Sequence, residues 1–245
     1  MSMYLKGVEN LKGVLLDIEG TTTPIDFVQK KLFSFARENL DTFLSSHRED
    51  RQVMEILHGL REIFISQGGK REDWKEPGKD GDGSASKIIK GMIDSDSKLT
   101  PLKDLESMIW ELGYSDGQLK GEVFQDVPVA MKRWVKKNLI ICIYSSGSIK
   151  SQQLIFSTTR FGDLSKYIFS YFDTRVGTKK DSASYDRISG MIGLEPEQIC
   201  FISDSYDELV AAREAGFVTL FSERGLPSPQ NSKFQSIRTF DDLPF

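Results

Sequence analysis

The stretch "GVLLDIEGTTTPIDF", Gly13 to Phe27, closes an apolar run with two carboxylates at alternate positions, Asp17 and Glu19, followed by a Gly and three Thr. Strand periodicity would place both acids on one face, with Ile18 on the other. Neighbouring carboxylates repel unless a cation or a proton separates them. Three further chemistry-bearing sets punctuate the chain. Ser145 and Ser146 follow "LIICIY", Lys179 precedes a helical stretch, and Asp204 follows "QICFIS", with Glu208 one helical turn later. Acids, hydroxyls and a lysine suit a hard divalent cation such as magnesium with a phosphate beside it. The plainer readings are a solvated turn for an isolated acid pair and a solvated helix-flanking charge for Lys179 or Lys180.

The elements that must position these residues fall into two textures. "GVLLDI", "LIICIYS", "YIFSYF", "QICFISD" and "FVTLFS" read as strands, each ending at polar or Gly residues. Between them the pattern predicts helices over 128–137, 148–158, 182–191 and 206–215, with Pro128 in a first turn and Gly216 as a stop. Repeated strand–helix alternation implies an α/β fold, a doubly wound parallel sheet with helices on both faces. Ligands bind beyond the carboxyl ends of such strands. Asp17, Ser145, Ser146 and Asp204 would therefore meet on one rim.

From 26 to 121 the periodicity is helical throughout, which predicts a helical domain inserted after the first strand, with 1–25 and 122–245 forming the core. Asp26 and Gln29 resemble a capping box, and Thr100 followed by Pro101 reads as a cap and first turn. The aromatic and Met stripes of this insert read as core. "GGKREDWKEPGKDGDGSASK" reads as a mobile Gly-rich, charged loop. Its "DGDG" is no EF-hand: counted from Asp80, Ala85 stands where Gly is needed and Gly91 where a bidentate Glu is needed.

A net charge of −4 supplies no basic field for a phosphate backbone, so a nucleic-acid partner is disfavoured. Nothing in the composition suggests a membrane, and "MSMYLKGVEN" lacks a signal-peptide h-region, so a cytoplasmic monomer is expected. Cys142 and Cys200 lie inside apolar runs and read as buried reduced thiols. With His47 and His58 the only histidines, the chemistry must come from acids, hydroxyls and lysines.

This order of residues resembles the haloacid dehalogenase superfamily of phosphotransferases, whose pattern falls on Asp17, Glu19, Ser145, Lys179 and Asp204. Lys179 rather than Lys180 keeps the superfamily's six-residue step to Tyr185. Together, "LLDIEGTTTPI", "IWELGYSDGQLKGEVFQDVP", "IYSSGS", "YFDTRVGTKKDSASY" and "FISDSYDELVAAREAG" are similar to the acireductone synthase family, the enolase-phosphatases of methionine salvage. The likeness spans nearly the whole chain, and the helical insert would be that family's cap. "IFSTTRFGDL" departs from it by lacking a His.

The resemblance implies enolisation of 2,3-diketo-5-methylthiopentyl-1-phosphate and loss of phosphate, with magnesium, giving acireductone (1,2-dihydroxy-3-keto-5-methylthiopentene). Asp17 would form an aspartyl-phosphate and Glu19 would act as acid, then base. Ser145, Ser146 and Lys179 would hold the phosphate, with backbone amides of Gly20 and Gly147 completing its cradle. Asp17, Asp204 and Glu19, the last through its carboxylate or its carbonyl, would bind the metal, and Glu208 would orient Asp204. Trp110, Tyr114, Lys120 and Glu122 are candidates by position for the enolisation base. Two alternatives stand beside this reading: another phosphatase or a phosphomutase on the same scaffold, and a receiver-like magnesium-binding signalling module.

Overall fold

A computed structural model describes residues 8–78, 83–224 and 234–245. Among the described residues the strands are β1 (Gly13–Leu16), β2 (Ile140–Tyr144), β3 (Ser170–Phe172), β4 (Ile199–Ser203), β5 (Val218–Ser222) and β6 (Gln235–Ile237). They form one sheet in the order β3-β2-β1-β4-β5-β6, every neighbouring pair parallel. β1 and β4 are buried at every position, because a parallel strand covered on both faces must be apolar on both. The strand order reverses between β1 and β4, which is where open α/β sheets bind ligands. Leu16 lies level with Ile143 of β2 and Ile202 of β4, so Asp17, Ser145 and Asp204 leave three adjacent strands at one end.

The covering helices have local causes. Pro128 lies in the first turn of α5 (Val127–Lys136). Ser148 caps α6 (Ile149–Ser157) by accepting from the Ser151 amide, and Asp181 caps α7 (Ser182–Ile192) by accepting from that of Ala183. α8 (Tyr206–Glu214) gives way to β5 through Gly216, whose φ of +90° suits a residue without Cβ. Tyr185 of α7 packs edge-on against Tyr144, Phe201 and Phe217, with centroids 5.7, 5.2 and 5.6 Å away. Cys142 and Cys200 are free, buried thiols, and burial pushes that of Cys142 up to about 12.

The chain divides into two compact units, Met1–Phe27 with Lys120–Phe245, and Val28–Leu119. The second contains α1 (Phe33–Ser46), α2 (Arg51–Ser66), α3 (Ser84–Asp94) and α4 (Thr100–Ser115), packed through Leu40, Leu44, Leu60, Ile89, Leu105 and Ile109. Among the described residues no helix is long and apolar enough to cross a membrane.

Local expectations fail where tertiary bonding decides. Asp26 does not cap: the chain is already helical at Ile25, and a π-helical segment, Phe27–Leu32, leads into α1. The Trp110 indole N–H donates to the Leu32 carbonyl at 2.7 Å, satisfying an acceptor at the end of that wide turn. Thr100 is the first residue of α4, with Leu99 in the cap position. "YIFSYF" keeps only its last three residues as strand, because Ser165–Tyr167 forms a 3-10 turn. Asp80, Gly81 and Asp82 of "DGDG" lie outside the described residues.

Candidate active site

β1 delivers Asp17 to the middle of the rim, where its amide continues the ladder by donating to the Ile202 carbonyl at 3.0 Å. Both oxygens of its buried carboxylate are engaged. Oδ1 accepts from the Lys179 ammonium and from the Ile18 amide, each at 2.7 Å, and Oδ2 from the Ser203 hydroxyl at 3.0 Å. Lys179 also reaches Oε2 of Glu208 at 2.6 Å, and that oxygen lies 2.9 Å from the Ser203 hydroxyl. The result is a closed ring of Asp17, Lys179, Glu208 and Ser203. The loop carrying the lysine is fixed from below: the Tyr185 hydroxyl donates to the Lys179 carbonyl at 2.8 Å and the Tyr144 hydroxyl to that of Gly177 at 3.0 Å. Lys180 takes no part and pairs with exposed Asp207 at 2.8 Å.

Strand geometry ends at Asp17, so alternation does not place Glu19. The amides of Thr21, Thr22 and Thr23 all converge on the Ile18 carbonyl, at 3.2, 3.0 and 2.9 Å. Gly20 makes the turn with φ +65°, and a Cβ there would fall 2.1 Å from Asp204 Oδ2. Only glycine permits that approach. Glu19 sits half-buried on this turn, close enough for its charge to act on Asp204.

Ser145 is buried, with its amide donating to the Phe172 carbonyl at 3.1 Å. The amides expected to receive an anion are otherwise occupied. Gly20 donates to the Thr23 carbonyl at 2.9 Å and Gly147 to the Ser145 hydroxyl at 3.2 Å. Ser146 is the member of the loop whose amide and hydroxyl have no acceptor among the described residues.

The charges are unbalanced. Burial, then the negative charges of Asp17, Glu208 and Glu19, push the Asp204 carboxyl up to about 7 against the pull of Lys179. Burial also raises Glu208. It works the other way on the Lys179 ammonium, but Asp17 and Glu208 outweigh it and hold that group above the usual lysine range. The Asp204 carboxylate accepts no hydrogen bond among the described residues. Glu208 turns Oε2 to Lys179 and Ser203, and no hydrogen bond joins it to Asp204. Oxygen donors from neighbouring strands, with excess negative charge, fit a hard divalent cation. No three His, Cys, Asp or Glu side chains among the described residues close into a finished metal cage. Magnesium, which retains several waters, does not require one.

Residues 11–216 match the haloacid dehalogenase-like hydrolase family. An enolase-phosphatase E1 of Synechococcus elongatus is 44% identical over 232 residues, covering 94% of this chain and 96% of that protein. The chain belongs to the enolase-phosphatase E1 family of haloacid dehalogenase-like hydrolases. Another enolase-phosphatase E1, from a Sulfurihydrogenibium species, is 40% identical across 95% of this chain and 97% of its own. The crystal structure of the UTR4 protein of Saccharomyces cerevisiae, 30% identical, matches with a TM-score of 0.73 over 95% of this chain and 99% of that one. As a member of the enolase-phosphatase family the chain is an enzyme of methionine salvage, and the receiver-like signalling reading is set aside.

Ser203 joins the site unpredicted, although it carries a legible signal: a polar residue ending the apolar run that delivers Asp204.

Proposed function

We propose that this enolase-phosphatase acts on 2,3-diketo-5-methylthiopentyl-1-phosphate through the rim built around Asp17. The carrying observation is the ring of buried Asp17, Lys179 and Ser203 with half-buried Glu208, beside surplus acids at the sheet's reversal point. A base first takes a carbon-bound proton and the neighbouring carbonyl oxygen gains one, giving the enol. An Asp17 carboxylate oxygen then bonds to phosphorus as the ester P–O bond breaks, and Glu19 protonates the departing oxygen, releasing acireductone. Glu19 next takes a proton from water, whose oxygen attacks the aspartyl-phosphate. Phosphate leaves and Asp17 is restored.

In this reading Ser145 and Ser146 hold phosphate oxygens through their hydroxyls, and Lys179 balances the charge shared by nucleophile and phosphate. Asp17 and Asp204 would hold magnesium, with Glu19 beside them, and the bound ion would screen the approach of one anion to another. Trp110 is not the enolisation base: its indole N–H is committed to the Leu32 carbonyl, and an indole nitrogen is a donor only. The helical unit is the family's cap. The working form is a cytoplasmic monomer that takes a small phosphorylated diketone, with no nucleic acid or membrane partner.

The test is incubation with the diketo phosphate, following the enol by absorbance and free phosphate in parallel. A transient enol followed by stoichiometric phosphate is expected. Phosphate without the enol would reduce the function to a simple phosphatase, and retention of the phosphoryl group on a product would make it a mutase.

A further inference from the structure

Gln152 is a buried polar residue that the chemistry above does not use, and its hydrogen bonding is lopsided. It lies early in α6 and is 1% exposed. Its amide nitrogen donates to the Gly147 carbonyl at 2.9 Å and to the Phe172 carbonyl at 2.8 Å, which uses both N–H groups. Its Oε1 is buried and has no partner. Turning the amide over would aim that oxygen at two carbonyls, so the donors fix its orientation. An unpartnered buried oxygen carries a desolvation cost. A methionine of similar volume would fill the space without it, but would hold neither carbonyl.

Those two carbonyls bracket the loop that carries the hydroxyl pair. The Phe172 oxygen also accepts from the Ser145 amide at 3.1 Å, so Gln152 and the start of the loop share one anchor. At the other end the Gly147 carbonyl is drawn inward. Because the peptide is planar and trans, the Ser148 N–H on the same unit is directed the opposite way. The loop is thus clamped at both ends by one carboxamide.

We propose that Gln152 is a positioning residue for phosphate recognition, holding Ser145 and Ser146 where their hydroxyls receive the phosphate group. The inference rests on the reading of those two serines as phosphate ligands. It is tested with Gln152→Met and Gln152→Glu, both of similar size, by the inhibition constant of inorganic phosphate together with KM, kcat and melting temperature. Both variants should weaken phosphate binding and raise KM about tenfold, equivalent to ~1.4 kcal/mol, while kcat moves much less. Gln152→Met should cost little stability, since the unpartnered oxygen goes and the Phe172 carbonyl keeps the Ser145 amide, leaving only the carbonyl of half-buried Gly147 without its side-chain donor. Tenfold weaker phosphate binding at little cost in stability and with kcat nearly unchanged is a result that a merely structural role does not produce.

A folded Gln152→Met variant with unchanged phosphate inhibition overturns the inference. If neither variant folds, phosphate is titrated into ¹⁵N-labelled wild type. The side-chain NH₂ signals of Gln152 should then shift along the phosphate binding curve, and their immobility overturns the inference equally. Ser145→Ala and Ser146→Ala separate the two layers. If these leave phosphate inhibition unchanged, the loop is not the phosphate site and both readings fall. If they weaken it and Gln152→Met does not, only the role of Gln152 falls.

Discussion

Two buried lysines, Lys179 in the α/β unit and Lys103 in the helical unit, have closely similar immediate surroundings. They are 8% and 6% exposed. Each meets two carboxylates: Lys179 reaches Asp17 at 2.7 Å and Glu208 at 2.6 Å, and Lys103 reaches Glu106 at 2.9 Å and Asp96 at 3.3 Å. Each also lies near an aromatic ring, 5.7 Å from the centre of Tyr144 and 4.6 Å from that of Phe33. The charge beyond that circle differs. Asp96 has Lys98 at 2.7 Å, so the helical cluster balances two acids with two lysines. Around Lys179 stand Asp17, Glu208, Asp204 and Glu19. A balanced cluster on helix α4 is spent on holding the fold. A cluster with surplus negative charge at the open ends of strands stores an unfinished interaction, which a cation and a phosphate would complete.

The comparison breaks most sharply at Asp17. Asp17→Asn should lower phosphate release by more than about 10³-fold, because the amide cannot form the covalent intermediate. The fold should survive, since the change also removes one of the crowded negative charges. A variant retaining a tenth of wild-type turnover would show that the surplus charge is not the nucleophile's setting. The next effect belongs to the balanced cluster. Lys103→Met strands Glu106, which is 0% exposed and whose Oε1 already lacks a partner, so the helical unit should lose roughly 3 kcal/mol in denaturant unfolding. Adding Glu106→Leu should restore most of that loss. If the single variant is as stable as the wild type, the cluster is not structural.

The sheet was legible because β1, β2 and β4 are apolar nearly throughout and β5 is interrupted only by Thr219 before its closing Ser222, as burial on both faces demands. β6 was missed: in Gln235–Ile237 only Ile237 is apolar and buried, and pairing with β5 supplies the rest. That Asp17, Ser145 and Asp204 leave strand ends could be read because each follows an apolar run, whereas Lys179 is told from Lys180 only by the resemblance. Their partners could not be read. The bonds that Glu208 accepts from Lys179 and Ser203, and the one that the Gly147 amide donates to the Ser145 hydroxyl, depend on rotamers and loop geometry that the assembled sheet imposes. Glu19 shows the limit most plainly. A period of two is valid only while the ladder lasts, and the ladder ends at Asp17, before the turn at Gly20.

The smallest expected effect concerns pH, and it tests whether the surplus charge at the rim is unfinished in the sense argued above. Asp204 is raised to about 7 in the folded protein from an ordinary value of 3.8, and burial also raises Glu208. Between those limits the folded state binds more protons than the unfolded state, so stability falls as pH rises from about 4 to 7. Glu106 of the helical unit is also raised by burial and adds a slope of the same sign, one that magnesium at the rim does not touch; the remaining shifted groups lie outside the window. Asp126 and Asp41 are lowered, so their contribution is lost only as pH falls below the ordinary carboxylate range. Lys179 is raised, so its contribution persists until pH climbs past the lysine range. Metal-free protein should therefore melt several degrees higher at pH 5 than at pH 8. Saturating magnesium should reverse the slope, because the cation stabilises the ionised carboxylates and must compete with protons for them. Calorimetry at both pH values, with chelator and with magnesium, gives the four melting temperatures. A slope that magnesium leaves unchanged would mean that these acids meet no cation, and the surplus charge around Lys179 would then not mark an unfinished site.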